Sequence, residues 1–193
     1  MQKRSANTLR IIGGDWRGRR IRFPGQGDIR PTPDRVRETL FNWLMDKVRA
    51  SRCLDLFAGS GALGLEALSR GAANVTFVER DRENAARLRE TATTLAPGRA
   101  TVVETEALAW LTGRPGTYDI VFLDPPFAAG VLPEAMQRLE ARGVLAPGAC
   151  IYIEMPASAG LPELPAPWSL HRTGRAGAVG YHLARRQGEE SGT

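Results

Sequence analysis

The chain has 193 residues, 42% of them apolar and 24% charged, an ordinary globular composition able to bury one substantial core. No segment approaches the roughly 18 uninterrupted apolar residues of a membrane span. The basic start runs into no apolar stretch of signal-peptide length, and the two His and two Cys are too scattered for the usual metal sites, so a cytoplasmic protein without membrane or metal is expected.

The formal charge of +5 is uneven. Residues 1–50 carry twelve Lys/Arg against five Asp/Glu, which leaves about −2 for the remainder. A basic end of this kind suits a polyanionic partner, through counterion release, as readily as it suits a solvated surface.

Residues 8–23 place two β-rich runs around Gly13-Gly14-Asp15, which predicts a hairpin whose polar side is mostly arginine. Residues 24–33 read as loop. Thr32 or Asp34 can then cap a helix whose apolar stripe is Val36, Leu40, Phe41, Leu44 and Val48. From Arg52 the pattern becomes an alternation of short apolar runs (53–57, 75–79, 100–103, 119–123, 150–154) with helical patterns (62–69, 82–94, 107–112, 133–142). Repeated β-α units predict an α/β fold, a Rossmann-like, doubly wound and mostly parallel sheet with helices on both faces. Cys53 and Cys150 fall in inner strands and are expected to be buried, reduced thiols. Runs at 168–172 and 178–185, separated by Thr173-Gly174-Arg175-Ala176-Gly177, predict a C-terminal antiparallel hairpin closing the sheet edge. The organisation expected is a basic N-terminal β-hairpin extension with its loop over 1–33, one domain over 34–186, and a disordered polar tail over 187–193.

Residues Leu54-Asp55-Leu56-Phe57-Ala58-Gly59-Ser60-Gly61-Ala62-Leu63-Gly64 carry a strand into a glycine turn that opens a helix. Gly59, Gly61 and Gly64 form the dinucleotide pattern, and Glu79 lies twenty residues past Gly59, where a ribose-binding acid belongs. Asp55, four residues before the first glycine, argues against a diphosphate, which would meet a negative charge there. S-adenosylmethionine has a sulfonium, an ammonium and no phosphate, so an acid at that turn suits its aminoacyl end while Glu79 accepts from the ribose. A purely structural glycine turn is the remaining alternative. Glu106, after the third of these strands, is either an acceptor for the adenine amino group or an acid favoured by the helix dipole.

The strand at 119–123 ends in Asp124-Pro125-Pro126-Phe127. Two prolines remove two backbone donors, so the Asp124 carboxylate and the Pro125 carbonyl project as fixed acceptors. An exocyclic amine offers two hydrogens. Gripping both lets its nitrogen become more tetrahedral and aim its lone pair at a methyl group, while Phe127 stacks on the base. A simple strand-ending turn says nothing about position: in one β-α series the glycine loop follows the first strand and this motif the fourth. His171 and His182 lie in the terminal hairpin, away from any nucleophile they could activate.

Taken together, Arg30-Pro31-Thr32-Pro33-Asp34-Arg35-Val36-Arg37-Glu38-Thr39-Leu40-Phe41-Asn42-Trp43-Leu44, the loop from Leu54 to Gly61 and Asp124-Pro125-Pro126-Phe127 resemble the RsmD family, bacterial 16S rRNA (guanine-N2)-methyltransferases, over roughly residues 8–186. The Arg-Pro-Thr stretch discriminates, since the other two motifs also occur in DNA adenine methyltransferases. The resemblance implies a class I methyltransferase fold with S-adenosyl-L-methionine as donor. It implies methylation of N2 of one guanine (guanine 966) in 16S rRNA of the small ribosomal subunit or its assembly intermediate, and a monomer is the expected state. By position it places Asp55, Gly59 and Gly61 on the donor and Glu79 on its ribose, with Phe57, Arg80, Glu106, Ala107 and Asp124 also counted as donor-binding, and Asp124 to Phe127 on the target amine. The family's usual adenine-binding Asp is Glu106 here. Arg17, Arg19, Arg20 and Arg22 would grip phosphates while the target base is flipped out, joined by Arg30 and Arg35. Arg30, Arg35 and Arg37 could equally orient the donor carboxylate or pair with Glu38 and Asp34. The competing readings are a DNA adenine-N6 methyltransferase, which would need a larger target-recognition segment, and an NAD-dependent oxidoreductase, which lacks a substrate domain.

Overall fold

A computed structural model describes residues 7–23, 32–113, 115–127 and 130–188. The strands are β1 (Asn7–Arg10), β2 (Arg20–Phe23), β3 (Arg52–Asp55), β4 (Asn74–Glu79), β5 (Ala100–Glu104), β6 (Tyr118–Leu123), β7 (Leu145–Pro156), β8 (Trp168–Ala176) and β9 (Val179–Arg186). The helices are α1 (Asp34–Trp43), α2 (Ala62–Ser69), α3 (Arg82–Leu95), α4 (Ala107–Trp110) and α5 (Leu132–Ala141). β3 to β9 form one sheet in the order β5-β4-β3-β6-β7-β9-β8. Its first five strands in that order run parallel, while β9 is antiparallel to both β7 and β8. The strand order reverses between β3 and β6, and in open α/β sheets the crevice outside the carboxyl ends at such a point is where ligands bind.

Side chains alternate between two apolar layers, as the period of a strand requires. Cys53, Val75, Phe77, Ile120, Phe122, Cys150 and Tyr152 pack on the α1, α2 and α3 side. Leu54, Leu56, Val78, Val121, Leu123, Ile151 and Ile153 pack with α5 on the other. Both cysteines are buried, as expected of inner strands, and Cys53 is pushed up to about 12 by burial.

Three strand limits differ most from the sequence reading, the first being β3, which ends at Asp55 rather than Phe57 as the chain turns into the glycine loop. β7 begins at Leu145 rather than Cys150, because an irregularity in its pairing with β6 breaks the alternation that would reveal a strand. The terminal hairpin turns at Gly177-Ala178, and residues 173–176 belong to β8. Gly174 is there for packing and not for a turn: it pairs with Tyr181, whose ring would lie 2.3 Å from any Cβ added to it.

The N-terminal hairpin forms as predicted, with a 3-10 turn over Gly14–Trp16 in its connection. Leu9, Ile11, Ile21 and Phe23 are buried in the same cluster as Val36, Leu40, Phe41 and Leu65, each contributing roughly 2 kcal/mol of apolar burial. A polar junction fixes the docking. Glu66 on α2, fully buried, accepts from Ile12 N (2.9 Å), Gly13 N (2.8 Å), Arg70 Nε (2.8 Å) and Arg37 Nη1 (3.4 Å). Arg37 is likewise buried and donates to the Arg10 carbonyl (2.9 Å), the Thr32 carbonyl (3.2 Å) and Asp34. Ser69 donates to the Gly13 carbonyl (2.6 Å) and accepts from Trp16 N (3.0 Å).

This junction bears on three expectations about α1, and of these it bears out the pairing of Arg37 with Asp34. Its N-cap is Pro33, without a side-chain cap bond, because Asp34 is drawn to Arg37 and the Thr32 hydroxyl to two carboxylates across the sheet edge. Arg37 pairs with Asp34 and Glu66, not Glu38, and is enclosed in the core. The helix ends at Trp43, and Val48 reaches the core from the tighter turns that follow.

Replacing Glu66 with Ala would leave Arg37 buried with a single carboxylate partner and strand two hairpin amides. We expect a loss of about 3 kcal/mol in unfolding free energy, read as a lower urea midpoint at unchanged slope. A midpoint equal to wild type would show that the junction contributes no net stability.

Candidate active site

Extending the strand alternation by one or two residues accounts for the site. Positions 53, 75, 77, 120, 122, 150 and 152 face the α1 side, so Asp55, Glu79, Asp124 and Glu154 follow on that face at the carboxyl ends of β3, β4, β6 and β7. Four carboxyl groups thus converge on the reversal point of the sheet. Thr32, immediately before α1, reaches into the same place.

The glycine loop joins β3 to α2. Ala58 N donates to the Val78 carbonyl (3.0 Å) and Gly61 N to the Ala58 carbonyl (2.7 Å), which folds the loop back over the sheet edge. Gly61 is left-handed at φ +76°, and a Cβ there would stand 2.4 Å from Leu88 Cδ1, so only glycine fits. Asp55 is 2% exposed, and its Oδ2 accepts from Gly64 N at 3.0 Å, in the first turn of α2. Burial pushes its carboxyl up to about 7; the Gly64 amide opposes this and the nearby Glu79 adds to it. Glu79 accepts from Gly59 N (2.6 Å) with one oxygen and Asp81 N (2.7 Å) with the other, tying the loop to β4, and burial raises its affinity for a proton.

Asp124 follows β6 directly. Thr32 Oγ1 lies 3.3 Å from Asp124 Oδ2 and 3.0 Å from Glu154 Oε2, and the Tyr152 hydroxyl donates to the same Glu154 oxygen at 2.8 Å. Burial holds Asp124 well above the usual carboxylate range, reinforced by the charges of Glu154 and Asp55 and opposed by the Thr32 hydrogen bond. Glu154 is also raised by burial, against the hydrogen bonds from Tyr152 and Thr32. Carboxyl groups desolvated together relieve their repulsion by binding protons or a cation. Pro125 is buried, Pro126 is exposed, and Phe127 leaves 47% of its surface to solvent.

The other predicted residues are distributed around this centre. Phe57 is half-buried beside Gly59 and Gly61. Arg80 and Glu106 form an exposed pair 3.8 Å apart, Glu106 occupying the N-cap position of α4 without a side-chain cap bond, and Ala107 is buried in its first turn. Arg17, Arg19, Arg20, Arg22 and Arg35 are exposed, whereas Arg30 lies outside the described residues. In the hairpin, Leu9 faces Ile21 on the buried side and Arg10 faces Arg20 on the solvent side, with Arg22 beside them. His182 is bonded across the C-terminal hairpin to Thr173 (2.8 Å).

Thr32, Tyr152, Glu154 and Arg10 escaped the sequence reading. A carboxylate inside the apolar run Cys150-Ile151-Tyr152-Ile153-Glu154, two positions from a tyrosine and so on its face, was the available signal for Tyr152 and Glu154.

Residues 9–185 match the family described as conserved hypothetical protein 95. Over 184 residues, 95% of this chain and 93% of the relative, the sequence is 50% identical to ribosomal RNA small subunit methyltransferase D of Escherichia coli (strain K12). It is 42% identical over 179 residues to the Haemophilus influenzae protein of the same name, covering 91% of this chain and 92% of that one. The solved structure of the protein yhhF from Escherichia coli superposes with a TM-score of 0.86 at 49% identity, covering 94% of this chain and 99% of that one.

The raised acids give a signed pH dependence. A carboxyl whose folded pKa lies above its unfolded value binds its proton more tightly in the native state, so its contribution is present at low pH and is lost as pH rises through the folded pKa. For Asp55 that window runs from about 4 to about 7. Unfolding free energy is expected to decline with pH across this window in the wild type, and the decline should be shallower in Asp55→Asn, measured by denaturant titration at several pH values. Parallel curves for the two proteins would contradict the assignment.

Proposed function

This chain belongs to the RsmD family, and on that premise we propose that it methylates the exocyclic N2 of one guanine, guanine 966 by resemblance, in 16S rRNA of the small ribosomal subunit or its assembly intermediate, with S-adenosylmethionine as donor. The observation that carries this reading is the meeting of two motifs: Asp124 of Asp-Pro-Pro-Phe stands at the sheet reversal next to Asp55 and the glycine loop held by Glu79.

The residues suit that donor. It has two positive centres and no phosphate, and Asp55, Glu79, Asp124 and Glu154 are all carboxyl groups whose charged forms burial disfavours until a cation is present. Beside Gly59 and Ser60, a small cavity is lined by Asn84, whose Oδ1 is buried without a hydrogen-bond partner. That oxygen is a buried acceptor left unsatisfied beside the glycine loop. Bound at the carboxyl edge of the sheet, the donor would supply an electrophilic methyl group.

The chain supplies geometry. The Asp124 carboxylate and the Pro125 carbonyl accept the two amine hydrogens, so the nitrogen lone pair turns out of the base plane toward the methyl group. Phe127, half open to solvent, offers a face for the base to stack on. Arg10, Arg20 and Arg22 share one face of the hairpin, and directly opposed like charges such as Arg10 and Arg20 are unfavourable in a free strand pair. A polyanionic backbone lying along that face would relieve the repulsion.

Labelled donor and small subunits from cells lacking the modification test this directly, with the modified nucleotide mapped. Asp124→Ala is expected to reduce methylation by roughly 1,000-fold while donor affinity stays within a few-fold of wild type; wild-type-like turnover would remove Asp124 from the chemistry. Changing Arg19, Arg20 and Arg22 together to Ala should weaken RNA association and reduce the log-log salt slope by roughly 2. An unchanged slope would move the RNA surface elsewhere.

A further inference from the structure

The Thr32 hydroxyl stands between the half-buried Asp124 and the buried Glu154, 3.3 Å from Asp124 Oδ2 and 3.0 Å from Glu154 Oε2. A hydroxyl has one hydrogen and two lone pairs, so it can donate fully to one carboxyl group while accepting from the other. The shorter contact is to Glu154, whose Oε2 also accepts from Tyr152 at 2.8 Å. Glu154 therefore receives the fuller hydrogen-bond support of the two carboxyl groups. The longer bond, from Thr32 to Asp124 Oδ2, is the one that can reverse: once that oxygen bears a proton it can donate to Thr32 Oγ1 while the Thr32 hydrogen stays on Glu154.

Methylation of an amine creates such a proton. We propose that Thr32 and Glu154 are positioning residues that hold Asp124 ready to take up the proton released by the target amine, an inference that rests on the methyl-transfer reading above. As the amine nitrogen forms its bond to the methyl carbon, the bond from that carbon to sulfur breaks and its electron pair stays on sulfur. The nitrogen, now cationic, loses one N–H bond; the pair returns to nitrogen and the proton passes to the Asp124 carboxylate. Resting on Oδ2, it donates to Thr32 Oγ1, Thr32 donates to Glu154, and the proton leaves to solvent with the product.

The groups facing this chain of oxygens are Asp55 from β3, Tyr152 and Glu154 from β7, and Tyr181 from β9 beside Tyr152. Of these, Glu154 and Asp55 act on Asp124 by charge, both in the direction of holding a proton. The Arg-Pro-Thr stretch acquires a physical reason here, since its threonine delivers the bridging hydroxyl.

Single-turnover methylation of unmodified small subunits at saturating donor, followed between about pH 5 and 9, tests the inference, with donor binding measured on the same preparations. Glu154→Gln removes the charge that raises proton affinity at Asp124. Its acid limb should move to lower pH by about one unit, and its plateau should fall at least about tenfold, with donor affinity within about threefold of wild type. Thr32→Ala should lower the plateau similarly, and Thr32→Ser should restore it to within about threefold. A Glu154→Gln profile superimposed on that of wild type, or a Thr32→Ser variant no faster than Thr32→Ala, overturns the inference. If Thr32→Ala does not fold, the isosteric Glu154→Gln profile decides alone. A wild type that does not methylate guanine N2 overturns the functional reading instead.

Discussion

The carboxylate of Glu66 is a buried charge that four donors from three parts of the chain must satisfy. Enclosing a carboxylate and a guanidinium costs several kcal/mol per ion, and their attraction offsets this only when geometry is good and the remaining hydrogens and lone pairs find partners. The fold meets that condition by bringing the hairpin connection, α1 and α2 to one point. The orientation of the hairpin relative to α2 is then fixed by directional bonds as well as by apolar contact, and α2 is the helix that the glycine loop opens. The docking of the basic hairpin and the mounting of the loop rest on one junction.

The carboxyl edge of the sheet is organised by the opposite condition. There the buried acids lie close together on one face, and their charges are raised against one another rather than matched within the chain. Backbone amides from Gly59, Gly64 and Asp81 hold two of them, Asp55 and Glu79, in place without cancelling their charge. Stability is spent at this edge so that a cation is welcome there, a common division between scaffold and site.

The β-α alternation, the glycine loop and Asp-Pro-Pro-Phe were legible because each is a local pattern: period-two runs, a turn that tolerates only glycine, a strand end stiffened by prolines. The helix limits at 62–69 and the strand limits at 74–79 and 100–104 lie within a residue or so of the sequence reading for the same reason. What escaped depends on contacts across long separations. Arg37 reads as one of several ambiguous arginines because its second carboxylate partner, Glu66, is 29 residues away. Thr32 reads as a helix cap because its true partners are 92 and 122 residues distant. Gly174 reads as turn chemistry because its reason is a ring on the neighbouring strand. The reversal of strand order that gathers Asp55, Asp124 and Glu154 is a property of topology, and no local window contains it.

The rigid mounting of the hairpin on α2 has a thermodynamic corollary. The loop at the start of that helix and the arginines of the hairpin are parts of one mechanically continuous unit, pinned at Glu66 and Ser69. Any free energy by which occupancy of the loop firms the helix is available to the hairpin, and reciprocity requires that whatever binds the hairpin return the same factor to the loop. Ligands at the two places, were each to bind where proposed, would report on each other's presence through about two turns of helix, without any part of the chain having to travel between them.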